Sequence, residues 1–300
     1  MDEKKTKVGS KGDAISFKQN IVEWSFTLST WGIFIAVAII AYHQFSDGDF
    51  SFLMTLSSLS KSFGILLLFV KVLCTKSVKG ISLKSLQLYF ILYFCRIVSI
   101  YRHDGYLPYD KSGDWLYHLI EVLGLCQLIL MIYLTSNLFS SNYEKEYDVF
   151  GEIYDSFFPG ISFLVLPCCV FAVLFHPHLC RDWISDVSWI LSMYLETVAL
   201  VPQLYMFHRQ PAGKINGLIS HFVAALGLAR IFDLWFWLYT FKELSGGSSD
   251  GDAVFSGSLV LISQFIHLIL LSDYFYCYFQ AIHSGKGMSI PERESYAQAL

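Results

Sequence analysis

Charge is what this chain has least of. Only 15% of its 300 residues are Asp, Glu, Lys or Arg, against about 25% in a soluble domain. That shortage excludes an ordinary soluble protein, although the length alone would fit two soluble domains. A basic surplus is missing too. The net charge is −4, which argues against nucleic acid as a partner. Metal-binding spacing is absent: the seven cysteines include no Cys-x-x-Cys pair, and they read as small buried hydrophobes. His176-Pro177-His178 is too short a motif for a metal site. Without an H-E-x-x-H helix or a Walker loop, the chain is expected to be neither an enzyme nor a cofactor protein.

What the chain does have is apolar length. Hydrophobic residues make up 54% and aromatic residues 17% of it, and the mean hydropathy is +0.49. A spanning helix needs about 20 apolar residues. Eight runs qualify, at 22–44, 51–73, 83–102, 115–137, 158–176, 183–207, 217–241 and 254–282. The expected fold is therefore an all-α polytopic membrane protein. The first run follows Lys4, Lys5, Lys7, Lys11 and Lys18 and is too long for a signal-peptide core, so it reads as an anchor.

Basic residues orient the spans. The N-terminal tail, the turn carrying Lys71, Lys76, Lys79 and Lys84, the loop after Pro202 and the tail after residue 282 fall on one side of an eight-span topology. Both termini are then cytosolic. Residues 138–157 disagree: they should share that side, yet carry Glu144, Glu146, Asp148, Glu152 and Asp155 against Lys145. A short repeat is also visible. Lys79-Gly80-Ile81-Ser82 opens a run carrying Arg96, and Asn216-Gly217-Leu218-Ile219-Ser220 opens one carrying Arg230. Two like-oriented three-helix units joined by a linking helix would use spans two to eight and leave the first as an addition. Transporters with such repeats place their sites near the membrane midplane.

The few intramembrane charges are the candidate site. Glu196 lies inside the apolar run from Trp189 to Gln203, where a carboxylate costs roughly 2.5–3.5 kcal/mol to insert unless it faces a partner or a cavity. The Pro202-Gln203 pair ends that run with a helix break and a polar turn. Arg96 and Arg230 lie deep in their runs, with Asp233 three residues after Arg230 and able to neutralise it. Asp186, and Lys61 with it, sit where a side chain can snorkel to the interface. Asp186 and Trp189 share one helix face, and acid plus indole is a receptor for an ammonium group. An arginine fork suits a carboxylate. Together they could hold an extended zwitterion such as a peptide C-terminus or an amino acid. The same charges could also form an ion-pair network that only fixes helix packing.

Four motifs carry a resemblance: Lys79-Gly-Ile-Ser-Leu-Lys-Ser85 through Arg96, Tyr194-Leu-Glu-Thr-Val-Ala-Leu-Val-Pro-Gln-Leu204, His221 through Gly227-Leu-Ala-Arg230, and Ser272-Asp-Tyr-Phe-Tyr276. In this order they resemble the ER lumen protein-retaining receptors, the K/HDEL receptors, over about residues 52–291. Leu166-Pro167-Cys168 and the additional first span look like a longer, divergent branch of that family. The resemblance divides the chain into a Lys-rich cytosolic tail (1–21), an extra transmembrane helix and loop (22–50), a seven-helix domain (51–283) and a cytosolic tail (284–300). It implies a SWEET-like arrangement of two three-helix repeats. It also implies capture of C-terminal Lys/His-Asp-Glu-Leu signals of escaped ER residents in the acidic Golgi, return by COPI vesicles and release at neutral pH.

By position, the resemblance makes Arg96 the grip on the peptide carboxylate. Asp186 becomes the contact for the first signal residue, and Trp189 the aromatic beside it. Glu196 and Arg230 become buried residues coupled to binding, and Asp273 an aspartate linked to retrieval. The basic retrieval tail is reduced to Ser284-Gly-Lys286-Gly-Met288. Other departures are Met54 for an arginine that reads the signal's glutamate, Lys61 for the pH-sensing histidine, and Ile97, Ser99, Ala229, Asp233 and Thr240 at further site positions. Losing an arginine opposite a buried carboxylate typically costs several kcal/mol. Lysine, with a reference pKa of about 10.4, is a poor replacement for a switch near pH 6.5. The expectation is a retained scaffold with an altered ligand. A small-molecule transporter of the SWEET-like or PQ-loop class is the alternative.

Overall fold

The computed structural model describes residues 25–46, 48, 50–103, 106, 115–152, 160–176, 182–210, 215–246 and 251–284. Residues 1–21 of the N-terminal tail and residues 285–300, Lys286 among them, lie outside the described residues. Among those described, the chain is helical with no strand. The helices are α1 (Ser25–Phe45), α2 (Phe52–Thr75), α3 (Leu83–Arg102), α4 (Trp115–Tyr133), α5 (Ser162–Leu174), α6 (Trp183–Val198), α7 (Val201–Arg209), α8 (Gly217–Gly246) and α9 (Gly251–Ser284).

Seven spans are long and apolar enough to cross a membrane, with α6 and α7 counted as one. Their outward faces carry exposed Leu, Ile, Val and Phe, for example Leu28, Ile33, Leu66, Phe94, Ile129 and Ile269. A bilayer accepts such faces; water does not. The eighth expected span is α5, which has only 13 residues and contains Pro167. At 1.5 Å per residue the helix itself reaches roughly 20 Å of the ~30 Å hydrocarbon core, yet the segment still joins the two ends of the bundle: Gly160 packs against Phe150 and Lys84 at one end, and Asp182 meets Arg102 at the other.

The repeated turns do the same local job. Ser82 caps α3 by accepting from the Ser85 N–H at 3.2 Å, and Asn216 Oδ1 caps α8 by accepting from the Leu218 N–H at 3.0 Å. Each satisfies an N–H that a helix start leaves open. Packing follows the same twofold logic. Helix α2 lies against α8 and α3 against α6, while α4 packs on α2 and α3, and α9 on α6 and α8. Exchanging α2 with α6, α3 with α8 and α4 with α9 maps each of these interfaces onto another. This is the packing of two like-oriented three-helix units. Close approach needs small residues. A Cβ on Gly64 would sit 3.1 Å from Phe222 O on α8, and one on Gly124 would sit 2.4 Å from the Tyr93 ring.

Pro202-Gln203 does not end its segment. The chain breaks after Val198 and resumes as α7, with Pro202 in the first turn, where its missing N–H is not needed. Gln203 is buried and makes three hydrogen bonds. Its Nε2 donates to Gly80 O at 2.8 Å, its Oε1 accepts from Ser82 N at 2.9 Å, and its N–H donates to Ser85 Oγ at 2.9 Å. The pair therefore ties α7 to the start of α3.

The acidic loop finds its place at the same end. Asp148 accepts from Ser82 Oγ at 2.7 Å and Tyr143 Oη at 2.6 Å. Glu152 meets Lys84 Nζ at 2.8 Å, and Glu144 accepts from Gly80 N at 3.0 Å and Gln210 Nε2 at 2.8 Å. The acidic residues of 138–152 thus lie beside the basic turn that they were expected to accompany, and complement it.

Candidate functional site

Two apolar clusters fill the bundle, and a charged layer separates them. The larger cluster includes Leu68, Leu92, Leu128, Ala199, Phe222 and Leu271. The smaller one includes Met54, Tyr106, Tyr117, Trp189, Phe236, Trp237 and Val260. Along α2, α3, α4, α6, α8 and α9 the buried polar residues fall where one cluster gives way to the other. They are Lys61, Arg96, Glu121, Glu196, Arg230 with Asp233, and Gln264 with His267.

Glu196 is the hub. It is 1% exposed and accepts from three cations: Lys61 Nζ at 3.1 Å, Arg96 Nη2 and Arg230 Nη2. Arg96 reaches Glu121 through Nη1 at 3.4 Å, and Ser58 Oγ donates to the same Glu121 oxygen. Arg230 also meets Asp233 Oδ2 at 2.6 Å. Three cations therefore face three carboxylates, and the layer neutralises itself. A buried charge is tolerable when it is paired and hydrogen-bonded. Several polar atoms nevertheless have no hydrogen-bond partner among the described residues: Ser57 Oγ, Glu121 Oε2, Asp233 Oδ1, Trp237 Nε1, Gln264 Oε1 and both His267 ring nitrogens.

The smaller cluster closes the end where α2 begins. Trp189 Nε1 donates to Tyr106 O at 3.1 Å, and the indole packs edge-on against Trp237 with ring centroids 5.6 Å apart. Tyr106 Oη pairs with Thr55 Oγ1 at 3.0 Å, and its ring lies 4.8 Å from that of Tyr117. Met54 is buried among these rings. Outside this cap, Ser99 and Ser185 meet at 3.2 Å, and Arg102 donates to Asp182. The Arg102 guanidinium holds the Asp182 carboxyl below the usual carboxylate range.

The structure brings together three of the residues read from sequence, Arg96, Glu196 and Arg230, and adds Asp233 as the expected i,i+3 partner. It separates them by layer from Trp189, which belongs to the aromatic cap. Asp186 is buried at 1% one turn before Trp189, so it does not snorkel. Neither does Lys61, at 2% exposure: both lie inside the bundle, and Lys61 has its counter-charge there. Asp273 is exposed on α9, apart from the layer. Glu121 joins the layer, and a carboxylate six residues into an apolar run carries the same sequence signal as Glu196. Nothing local identifies Gln264 and His267, because one polar residue per turn also suits a solvated helix face.

This frame can be placed among known proteins. The model of the "ER lumen protein retaining receptor" family matches residues 77–240. An ER lumen protein-retaining receptor of Drosophila melanogaster is 29% identical over 233 residues, 78% of this chain and 95% of the relative. One from Kluyveromyces lactis is 29% identical over 248 residues, 82% of this chain and 96% of the relative. One from Entamoeba histolytica is 26% identical over 228 residues, 76% of this chain and 92% of the relative. The family match takes in more than half of the chain and five of the six charges of the layer, all but Lys61. By that span, the chain belongs to the ER lumen protein retaining receptor family.

Proposed function

We propose that this protein is a multi-pass receptor of the ER and Golgi membranes that holds luminal proteins in the early secretory pathway. We further propose that its ligand is not the ordinary Lys/His-Asp-Glu-Leu signal. Family membership supports the first part. One observation carries the second: Arg96, the expected grip for a peptide carboxylate, is already held by Glu196 and Glu121. A ligand carboxylate would have to displace an internal one that is also buried, an exchange with little net gain. Met54 stands where the resemblance expects an arginine for the signal's glutamate, and its neighbours in the cap are apolar and aromatic. The cap favours a C-terminal segment with apolar or aromatic side chains instead, since rings and indoles reward buried area over charge.

Return by COPI vesicles, a role for Asp273 and Lys286, and cytosolic termini belong to the same reading. The interlocked basic and acidic loops support the orientation, since the basic turn marks the cytosolic side. The extra α1 fits the divergent branch. The transporter alternative draws on the same repeat and gains no observation of its own.

The test is binding of fluorescent C-terminal peptides to the purified receptor at about pH 5.5 and about pH 7.4, values that bracket histidine titration. HDEL and KDEL peptides are compared with a set bearing apolar residues at the acidic positions. Tight, acid-selective HDEL binding sinks the altered-ligand reading. Binding of the apolar set alone supports it.

A further inference from the structure

A cavity of about 410 Å³ lies at the opposite end of the bundle from the aromatic cap. It sits where the end of α2, the α2–α3 turn, the acidic loop, the end of α7 and the start of α8 converge. Its charged and polar walls include Lys71, Lys79, Glu144, Gln210 and Asn216. Lys71 lies ten residues beyond Lys61 on α2, or roughly 15 Å along the helix. This is a separate place from the charge layer, and its volume is in the range of small-ligand sites.

The walls are built, and their electrostatic balance is positive. Lys71 is 3% exposed and gives two of its three N–H groups to Ser77 O at 2.8 Å and Lys79 O at 2.7 Å. Its third N–H has no partner among the described residues. Lys79 is exposed at the rim, and its ammonium likewise has no side-chain partner described. Glu144 is the opposing charge, but one of its oxygens already accepts from Gly80 N and Gln210 Nε2. Two cations thus face one carboxylate. The N-terminus of α8, entering through Asn216 and Ile219, adds the positive end of a 30-residue helix.

We propose that this cavity binds a phosphate-bearing anion, supplied by the headgroup of a phosphoinositide in the adjoining leaflet. Basic pockets between transmembrane helices at the cytoplasmic interface suit such headgroups. The spare Lys71 N–H and the Lys79 ammonium would meet the phosphate oxygens, and Asn216 and Gln210 would line the ring hydroxyls. Because the α2–α3 turn, the end of α7 and the start of α8 all border the cavity, occupancy would join the two repeat units at this end. The proposal rests on the orientation proposed above and is independent of the luminal ligand.

The test uses the full chain purified in detergent and followed by thermal unfolding and native mass spectrometry. The probes are dioctanoyl phosphatidylinositol 4-phosphate, free inositol 1,4-bisphosphate, inorganic phosphate and dioctanoyl phosphatidylcholine. A saturable rise in melting temperature with the first probe and none with phosphatidylcholine is expected. Lys79→Ala should weaken binding about fivefold, the share of one interfacial lysine, and Lys71→Met more. If Lys71→Met fails to fold, Lys79→Glu, which is exposed, supplies the second variant. An equal response to inositol 1,4-bisphosphate keeps the phosphate site and moves its source to a soluble ester. Equal stabilisation by phosphatidylcholine, or binding unchanged in Lys79→Ala and Lys79→Glu, overturns the proposal.

Discussion

The charge layer and the aromatic cap are neighbours built on opposite rules. In the layer, three cations and three carboxylates answer one another across five helices, with Glu196 at the centre. In the cap, Trp189, Tyr106, Tyr117, Phe236 and Trp237 pack by area and edge, and polar tips such as Trp189 Nε1 and Tyr106 Oη turn to a carbonyl or hydroxyl nearby. The layer is closed to a new charge because each of its charged groups already has a counter-charge. The cap instead rewards buried apolar area, and the charge nearest Trp189 along α6 is the buried carboxylate of Asp186 one turn away. A receptor frame can therefore persist while the part that reads a ligand changes, because the two parts are held together by different forces.

The sharpest way to break the contrast is at the hub. Glu196→Gln keeps the shape and removes the charge, leaving Lys61, Arg96 and Arg230 facing two carboxylates. Breaking a buried pair by removing one partner costs about 3–5 kcal/mol, so the variant should melt far below the parent in detergent or fail to accumulate. Adding Lys61→Met restores neutrality and should recover part of the loss. The double-mutant cycle measures that coupling. An unchanged melting temperature for Glu196→Gln would mean that the layer is solvated and open to ligand. The cap should respond less. Trp189→Phe keeps most of the packing but removes the donation to Tyr106 O, a hydrogen bond with a net worth of about 0.5–1.5 kcal/mol. The same variant should alter peptide selectivity, whereas Glu196→Gln with Lys61→Met should not.

Much of the frame was legible in the sequence. Apolar runs of spanning length, the repeated Lys79-Gly80 and Asn216-Gly217 turns, and charges deep in those runs each have a local signature. So does Arg230 with Asp233, since i,i+3 spacing fixes a shared face. Partnership between helices has none. The choice of Glu196 for Arg96, and of Glu121 as its second partner, depends on which helices touch. The capping contacts of Gln203 were hidden for the same reason: Pro-Gln spells a break, but only the fold places Gly80 and Ser82 beside it. The shortness of α5 was masked by an apolar run that continues past both helix ends. The charge of loop 138–157 misled in isolation because the Lys84–Glu152 pair and the contacts of Glu144 and Asp148 lie across a gap in sequence.

His267 divides the two regions and can sharpen their boundary. It is buried on α9 with neither ring nitrogen bonded to a described residue, level with the charge layer. Replacing an unsatisfied buried polar group by an apolar one of similar shape is nearly neutral or stabilising. His267→Leu should therefore leave the melting temperature unchanged or slightly raised, in contrast with Glu196→Gln. If the variant instead loses ligand binding while staying folded, the imidazole is a contact, and the reading region reaches into the layer.

The smallest effect is expected outside both regions, at Asp182. Its carboxyl is held below the usual range, first by the hydrogen bond from Arg102. A carboxylate whose folded pKa is depressed contributes stability above its unfolded pKa, about 3.9. That contribution fades as pH falls through the folded value. Between pH 5 and 8, the range roughly spanned by histidine titration, Asp182 stays ionised and the contribution is constant. Arg102 is 44% exposed and Asp182 24%, so solvent screens the pair and its worth is small. Asp182→Asn should thus lower the melting temperature only slightly, by the same amount at both ends of that range. The pH profile of ligand binding should not move. A variant whose binding profile shifted would instead place a proton-sensitive element at this rim.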